Sequence, residues 1–219
     1  MFNFLPSPYQ LITYAVILLT AFPVHEFAHA WTANYFGDTT PRANGRLTLN
    51  PLAHLDPIGT LLMVLVGFGW AKPVPINPYV LNRRSRAATM LVSLAGPMAN
   101  FFMAILASVP FRLGLVSGND FRLLAGGILP SPSLFLYTFV WINLLLMLFN
   151  LIPLFPLDGE KVLGYFLPPS GVRFLEEIRP YSPLILMGIF FVLPLVGINL
   201  IGTILQPVLN ALAGILTGA

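Results

Sequence analysis

Two histidines and a glutamate near the start of the chain have the types and spacing needed to bind and use a metal ion. His25 and His29 are four residues apart, so on a helix their side chains would lie on one face, one turn from each other. Glu26 lies beside them and could reach a water molecule on an ion held by the pair. This H-E-x-x-H pattern is typical of zinc-dependent hydrolysis, in which the glutamate is a general base rather than a ligand.

The surroundings of these side chains argue against a chance match. The segment from about residue 9 to 36 is otherwise apolar, with Glu26 as its only charged residue. A charge in the middle of a bilayer costs about 2.5–3.5 kcal/mol on insertion scales, so ionisable residues in such segments usually have a function. The alternative is that the histidines are structural residues satisfied within the protein core.

A catalytic zinc site has three protein ligands and an open position for water, so the histidine pair needs a partner. The chain has no cysteine, which leaves the remaining acids and one histidine: Asp38, Asp56, Asp120, Asp158, Glu160, Glu176, Glu177 and His54. Asp158 is favoured because it directly follows an apolar segment, in NLIPLFPLDG, where Pro153 and Pro156 exclude a regular helix. Gly159 permits an unusual backbone angle next to it. The alternative is that Asp158 is a turn residue that caps the next segment.

Composition indicates the environment in which this site would work. The chain has 219 residues, 57% of them hydrophobic and 9% charged, with a mean hydropathy of +0.82, whereas soluble domains are charged at roughly a quarter of their residues. We therefore expect an all-α polytopic membrane protein with about 4–6 transmembrane helices, at about 20 apolar residues each. We expect one domain over 1–219, with a metal-binding core at about 9–165 and C-terminal transmembrane segments at about 181–216.

One short apolar run decides whether the candidate ligands can meet. Residues 57–70 would form a helix of about 20 Å, too short for a hydrocarbon core of about 30 Å. If this run enters the membrane and returns, two crossings separate His29 from Asp158, and the two side chains lie at one depth. We therefore expect a re-entrant or short extended region between the first and second full spans.

Charge and turn residues give further expectations about topology. The net charge of +3 comes mainly from basic residues in short loops, which indicates membrane topology rather than nucleic-acid binding. Most of these residues would lie on the side of the site, so the positive-inside rule predicts a site that opens towards the cytoplasm. Residues 44–49 could be extended and pair with a substrate as an added strand. The C-terminal tail could be one long span or two short ones broken near Pro194 and Gly197.

The order of these motifs resembles that of the site-2 protease family of intramembrane zinc metalloproteases. The resemblance is carried by HEFAHA, LTLNPLAHLDPIGT, AKPVPINP, SLAGPMAN and NLIPLFPLDG, and it extends from about residue 20 to 160. It is strongest with the short prokaryotic branch that lacks PDZ or CBS domains. It implies a multi-pass protein of the cell membrane that binds one zinc ion per chain. It also implies regulated intramembrane proteolysis, the cleavage of membrane-spanning protein substrates within or near their transmembrane helices.

The resemblance also implies roles for single residues. His25, His29 and Asp158 would be the zinc ligands and Glu26 the catalytic acid and base, while Asn150 would contact substrate. Independently of the resemblance, the position of His54 in the polar stretch after the first span would allow an outer-shell or inhibitory role at the metal site, although a role in the local fold is favoured. We interpret Asn100 in SLAGPMAN as a helix-packing residue.

Two other functions remain open from the sequence alone. A membrane metal transporter or metal-binding protein could use the same ligands, but transporters usually show repeated halves, which this chain lacks, and would not need Glu26. A catalytically inactive family member could bind membrane helices without cutting them. The expected partners are the lipid bilayer and a membrane-spanning protein, with no nucleic acid.

Overall fold

The computed structural model describes the chain in five parts: residues 8–66, 70–117, 121, 123–124 and 129–218. Its α-helices are α1 (Pro8–Val16), α2 (Phe22–Tyr35), α3 (Thr40–Ala43), α4 (Pro51–His54), α5 (Pro57–Val66), α6 (Pro78–Arg84), α7 (Ala88–Arg112), α8 (Pro132–Asn150), α9 (Asp158–Phe166), α10 (Pro169–Ile178), α11 (Ser182–Met187), α12 (Leu193–Leu195) and α13 (Leu200–Thr217). Asp120, one of the candidate ligands, lies outside the described residues.

The first apolar segment is one unbroken helix that changes its winding in the middle. A π-helical turn, Ile17–Ala21, joins α1 to α2, and Pro23 follows it in the first turn of α2. Proline has no N–H to donate to the preceding turn, and π-helical turns often occur near functional sites. The local irregularity therefore lies directly before His25.

The short apolar run is re-entrant, as the sequence predicts. Its helix α5 has 10 residues. The residues that flank the run meet, because Leu55 before it pairs with Ala71 after it in an antiparallel bridge. The Lys72 N–H also donates to the His54 carbonyl at 2.7 Å. Because the segment begins and ends at the same place, it returns to the side from which it starts.

The extended part of this region differs from the expected one. Residues 44–49 form turns and bends rather than extended backbone, so that prediction is wrong. Gly45 takes a positive φ of 67°, which ends the short helix α3 in a turn. Residues 71–77, which we call the strap, contain no helix or turn. The strap begins at the Ala71 bridge and ends at Asn77, whose backbone is extended. Prolines at 73 and 75 favour extended backbone there, in themselves and in the residues before them.

Three helical stretches in the described chain are long and apolar enough to cross a bilayer: α7, α8 and the run Pro169–Leu195. That run joins α10, a 3-10 turn (Arg179–Tyr181), α11, a π-helical turn (Gly188–Val192) and α12. The chain then turns at Gly197, which has a φ of 82°, and continues as α13. The tail therefore contains two helical stretches separated near Gly197.

The helices surround α7, which packs against α2, α8, α9 and α13. The main apolar core lies between α7, α8 and α13, and its buried members are Ala104, Val140, Leu144, Met147, Leu209 and Ala213. The only strands among the described residues are two-residue β1 (Leu123–Leu124) and β2 (Leu129–Pro130), which pair antiparallel. The all-α polytopic membrane class expected from the sequence is confirmed.

Candidate metal centre

Three potential ligand atoms from two distant parts of the chain converge on one point. His25 Nε2 and His29 Nε2 are 3.0 Å apart, and each lies 3.2 Å from Asp158 Oδ2. When zinc binds two nitrogen or oxygen atoms at about 2.0–2.1 Å in tetrahedral geometry, those atoms lie about 3.3 Å from each other. The spacing and the two-nitrogen, one-oxygen donor set therefore fit a zinc ion. Within the described chain this is the only such cluster of three side chains.

The imidazole of His29 is oriented by a backbone carbonyl of α7. His29 Nδ1 lies 2.6 Å from the Val92 carbonyl oxygen. A carbonyl can only accept a hydrogen bond, so Nδ1 carries the proton and Nε2 presents its lone pair to the cluster. The hydrogen bond thus selects the form of the ring that can bind a metal ion.

The imidazole of His25 is oriented by a buried amide of the same helix. His25 Nδ1 lies 2.5 Å from Asn100 Oδ1, and the Asn100 side chain is fully buried. Asn100, expected from the sequence to be mainly a helix-packing residue, therefore also contacts a candidate ligand. The available signal was a polar amide inside an otherwise apolar transmembrane segment, where polar groups need partners.

A glycine on α7 makes room for the ligand atoms. Gly96 lies midway between Val92 and Asn100, and the three positions are four residues apart on one helix face. A Cβ atom at Gly96 would lie 2.3 Å from His29 Nε2 and 2.6 Å from His25 Nε2. Both distances are far below van der Waals contact, so only glycine fits at this position.

The stretch between α8 and α9 places Asp158 in the cluster. Asp158 is the first residue of α9, where the partial positive charge of the helix N-terminus favours a carboxylate. Gly159 does not have a positive φ, so the chain does not use the backbone freedom that glycine permits there. It is needed for space instead, because a Cβ there would lie 2.2 Å from the Leu151 carbonyl oxygen.

Glu26 lies beside the cluster and is held by the strap. Its Oε2 accepts a hydrogen bond from the Val74 N–H at 3.0 Å. Among the residues that the structure describes, no protein group donates to its other carboxylate oxygen. The second oxygen is therefore free to interact with a water molecule or a substrate.

The cluster opens into a cleft of about 330 Å³. Glu26 and Asn150 line it beside the three potential ligands, and most of the remaining wall is apolar: Phe22, Trp70, Ala71, Pro73, Val74, Ile76, Val92, Leu146, Phe149, Pro156 and Leu157. Asn150 Nδ2 donates to the Leu146 carbonyl of its own helix at 2.9 Å. The cleft could accept an apolar peptide next to the potential metal site.

The described contacts of His54 belong to the local fold. Its side chain is fully buried, its Nε2 donates to the Thr48 carbonyl at 2.8 Å, and it is not part of the cleft wall. An outer-shell role for His54 stays a prediction. Two other candidate acids make backbone contacts: Asp56 caps α5 through the Ile58 and Gly59 N–H groups, and Asp38 binds the strap.

Comparison with known proteins gives a consistent picture. The model of peptidase family M50 matches residues 128–195. The chain is 40% identical to "Putative zinc metalloprotease YwhC" of Bacillus subtilis over 95% of this chain and 91% of that protein. It is 34% identical to "Putative zinc metalloprotease Rip2" of Mycolicibacterium smegmatis, over 75% of this chain and 61% of that protein.

A protein of the same name, Rip2 of Mycobacterium tuberculosis H37Rv, is 30% identical over 78% of this chain and 64% of that protein. The chain therefore spans most of YwhC but less than two thirds of either Rip2 protein. No solved structure matches significantly.

Proposed function

Because the chain belongs to peptidase family M50, the site-2 protease family, we propose that it cleaves peptide bonds within or near the transmembrane helices of membrane-anchored proteins. Membership makes it a membrane metalloprotease. Beyond this, we propose that the chain is an endopeptidase of the H-E-x-x-H kind that acts in regulated intramembrane proteolysis. The observation that carries it is the convergence of His25, His29 and Asp158 on one point beside Glu26.

The proposed ligand set is His25 Nε2, His29 Nε2 and Asp158 Oδ2, holding one zinc ion per chain. The names of the relatives support zinc as the metal. When bound, zinc would lower the pKa of a water molecule to about 7 and polarise a peptide carbonyl. The protein fixes where this happens, because both imidazoles are held through Nδ1 by acceptors on α7.

Glu26 is the proposed proton carrier. Its free carboxylate oxygen takes a proton from the attacking water and delivers it to the amine that leaves. The Val74 N–H holds the other oxygen, which limits the rotation of the side chain and keeps the carboxylate beside the histidine pair. Glutamine at position 26 would keep the shape but could not accept that proton.

The substrate is proposed to be a membrane-spanning protein segment. A transmembrane helix hides its peptide bonds in its own hydrogen bonds, so it must unwind locally before Glu26 and the ligand cluster can reach a carbonyl. The apolar wall of the cleft suits such a segment. Asn150 lines the same cleft and is the proposed polar contact for the unwound backbone.

Orientation and organisation are part of the same proposal. We place the protein in the cell membrane with the site open to the cytoplasm, because the count of membrane crossings puts most of the basic loop residues on the side of the site. Arg46 and Lys72 lie there, and Arg46 Nη1 donates to the Lys72 carbonyl at 3.1 Å. By the positive-inside rule this side faces the cytoplasm.

We also propose that 1–219 forms one domain.

The test is cleavage of a reconstituted single-span substrate by the purified protein in liposomes. We expect the wild-type protein to cleave it, a zinc chelator to stop cleavage, and added zinc to restore it. Glu26→Gln should bind zinc as the wild type does and show no cleavage, while Glu177→Gln, an exposed position on α10, should cleave normally.

Other outcomes distinguish the alternatives. Undiminished cleavage by Glu26→Gln would remove Glu26 from the chemistry. Zinc binding by the wild type without cleavage of any membrane substrate would favour an inactive member of the family. Zinc flux across the liposome membrane without cleavage would favour a transporter.

A further inference from the structure

A chain of buried amides connects the metal centre to a third helix. Asn100 Nδ2 donates to Asn143 Oδ1 on α8 at 3.0 Å, and Asn143 Nδ2 donates to the Phe139 carbonyl at 2.9 Å. Both asparagine side chains are fully buried. Asn143 touches none of the proposed ligands and is not part of the cleft wall, so the catalytic reaction gives it no direct task.

The donors and acceptors of this chain permit only one arrangement. The Phe139 carbonyl can only accept, so Asn143 must turn its Nδ2 towards it and its Oδ1 towards Asn100. Asn100 then turns its Nδ2 to Asn143 Oδ1 and to the Ala21 carbonyl, at 3.4 Å, which leaves its Oδ1 facing His25 Nδ1. An oxygen at that position requires the His25 proton to be on Nδ1.

Burying two amides carries a larger risk to the free energy of folding than packing apolar side chains in the same space. An unpaired amide buried in an apolar environment is strongly unfavourable, and leucine or alanine would fill the space between α7 and α8 without that risk. The paired amides join α2, α7 and α8 at one level. The Phe139 carbonyl orients the Asn143 amide, which orients the Asn100 amide, so that an amide oxygen faces the His25 imidazole. Being neutral, they set the position of the His25 proton without adding a charge to the site.

We propose that Asn143 and Asn100 form an amide relay that positions the His25 ring and keeps its Nε2 free to bind the metal ion. This inference rests on the proposed metal centre and adds two positioning residues to it. Without Asn143, only the long 3.4 Å hydrogen bond to the Ala21 carbonyl opposes rotation of the Asn100 amide, and the rotated amide presents its Nδ2 to His25. The His25 proton then moves to Nε2, where it blocks metal binding.

The first test measures the zinc affinity of full-length variants by chelator competition. Asn143→Leu should lower the affinity measurably, and by at most the factor of about 10–100 that is usual for loss of a group bonded directly to a metal ligand, here Asn100. The matched control is Ser108→Ala, because Ser108 is buried on α7 and its hydroxyl donates only to its own helix, at the Ile105 carbonyl. An Asn143→Leu protein that folds and binds zinc as tightly as Ser108→Ala would overturn the relay.

A double-mutant cycle separates a relay from simple packing. If Asn143 acts through Asn100, then Asn143→Leu should cause no further loss of zinc affinity in a protein that already carries Asn100→Leu. Packing defects at the two positions would instead lower the affinity by factors that multiply. Independent, multiplying losses would overturn the relay.

A measurement on the wild-type protein keeps the inference testable if the variants do not fold. In full-length protein with 15N-labelled histidine, after zinc is removed by a chelator, nitrogen NMR shifts should show a proton on His25 Nδ1. A His25 ring without a proton on Nδ1 would overturn the relay even if zinc binding is normal. A wild-type protein that binds no zinc would instead overturn the proposed function, and the two failures are therefore distinguishable.

Discussion

The helix α7 and the strap flank the same histidine-bearing helix but serve it in different ways. The α7 face is buried and contributes a carbonyl, a glycine and an amide that touch the imidazoles. The strap is largely exposed or half-buried and contributes one backbone N–H, from Val74, to Glu26. The position of the metal ligands therefore depends on residue types in α7, and the position of the carboxylate depends on the path of the strap.

This difference predicts that metal binding and cleavage can be damaged separately. Substitutions on the α7 face should lower zinc affinity and, as a consequence, cleavage. Substitutions that release the strap should lower cleavage and leave zinc affinity intact. Three substitutions test this separation, beginning with the one from which we expect the largest effect.

Gly96→Ala should abolish zinc binding. The new Cβ would lie 2.3 Å from His29 Nε2, which is too close for any rearrangement that keeps both rings and Asp158 together. Zinc per chain, measured on purified folded protein, should fall from one towards zero, and cleavage should be lost with it. The matched control is Gly188→Ala, which is also helical and has no atom within 4 Å of its new Cβ.

Normal zinc content in Gly96→Ala would show that the helices can separate at this level without loss of the site. The close approach of α7 to the imidazoles would then not be a requirement for metal binding, and the contrast between α7 and the strap would fail.

Asp38→Ala should release the strap while the metal centre stays intact. The buried carboxylate accepts from the Asn77 N–H at 2.6 Å and from the Thr40 N–H at 3.0 Å, and hydrogen bonds to charged groups contribute about 1.5–3 kcal/mol each. Hydrogen exchange at the Val74 and Asn77 N–H groups of the strap should become faster, and cleavage of the membrane substrate should fall. Zinc affinity should stay within about twofold of that of Glu176→Ala, an exposed acid on α10. A loss of zinc comparable to that of Gly96→Ala would contradict the separation.

His54→Gln should have the smallest effect. The described contact of its side chain is the hydrogen bond from Nε2 to the Thr48 carbonyl, and one such bond contributes about 0.5–1.5 kcal/mol to the free energy of unfolding. We expect a loss of about that size in denaturant titration, with zinc affinity and cleavage unchanged. A clear loss of zinc affinity would instead support an outer-shell role for His54.

The site residues that could be predicted most directly from the sequence are those that lie close together in it. His25, Glu26 and His29 could be recognised because four residues on a helix define one face. The meeting with Asp158 followed from counting membrane crossings, since a segment too short to span must return. The re-entrant run around α5 was predictable for the same reason, from length alone.

The relay and the strap could not be recognised because they depend on how distant segments align. Nothing near Asn100 or Asn143 in the sequence indicates that α7 and α8 place these amides at one level. Extended backbone was expected at 44–49, where the chain turns and bends. The segment of this region that contacts Glu26 is the strap, through the Val74 N–H. Gly159 was noticed as a glycine, but the reason for it, the nearby Leu151 carbonyl, belongs to the tertiary structure.

The most direct test of the central claim is the zinc content of Asp158→Ala measured beside that of Glu160→Ala. The two acids lie two residues apart on α9, so both substitutions remove a carboxylate from the same helix turn, but Glu160 faces Arg179. We predict one zinc ion per chain in the wild-type and Glu160→Ala proteins and little or none in Asp158→Ala. Full zinc content in a folded Asp158→Ala protein would contradict the account, because the histidine pair would then bind its metal without the carboxylate.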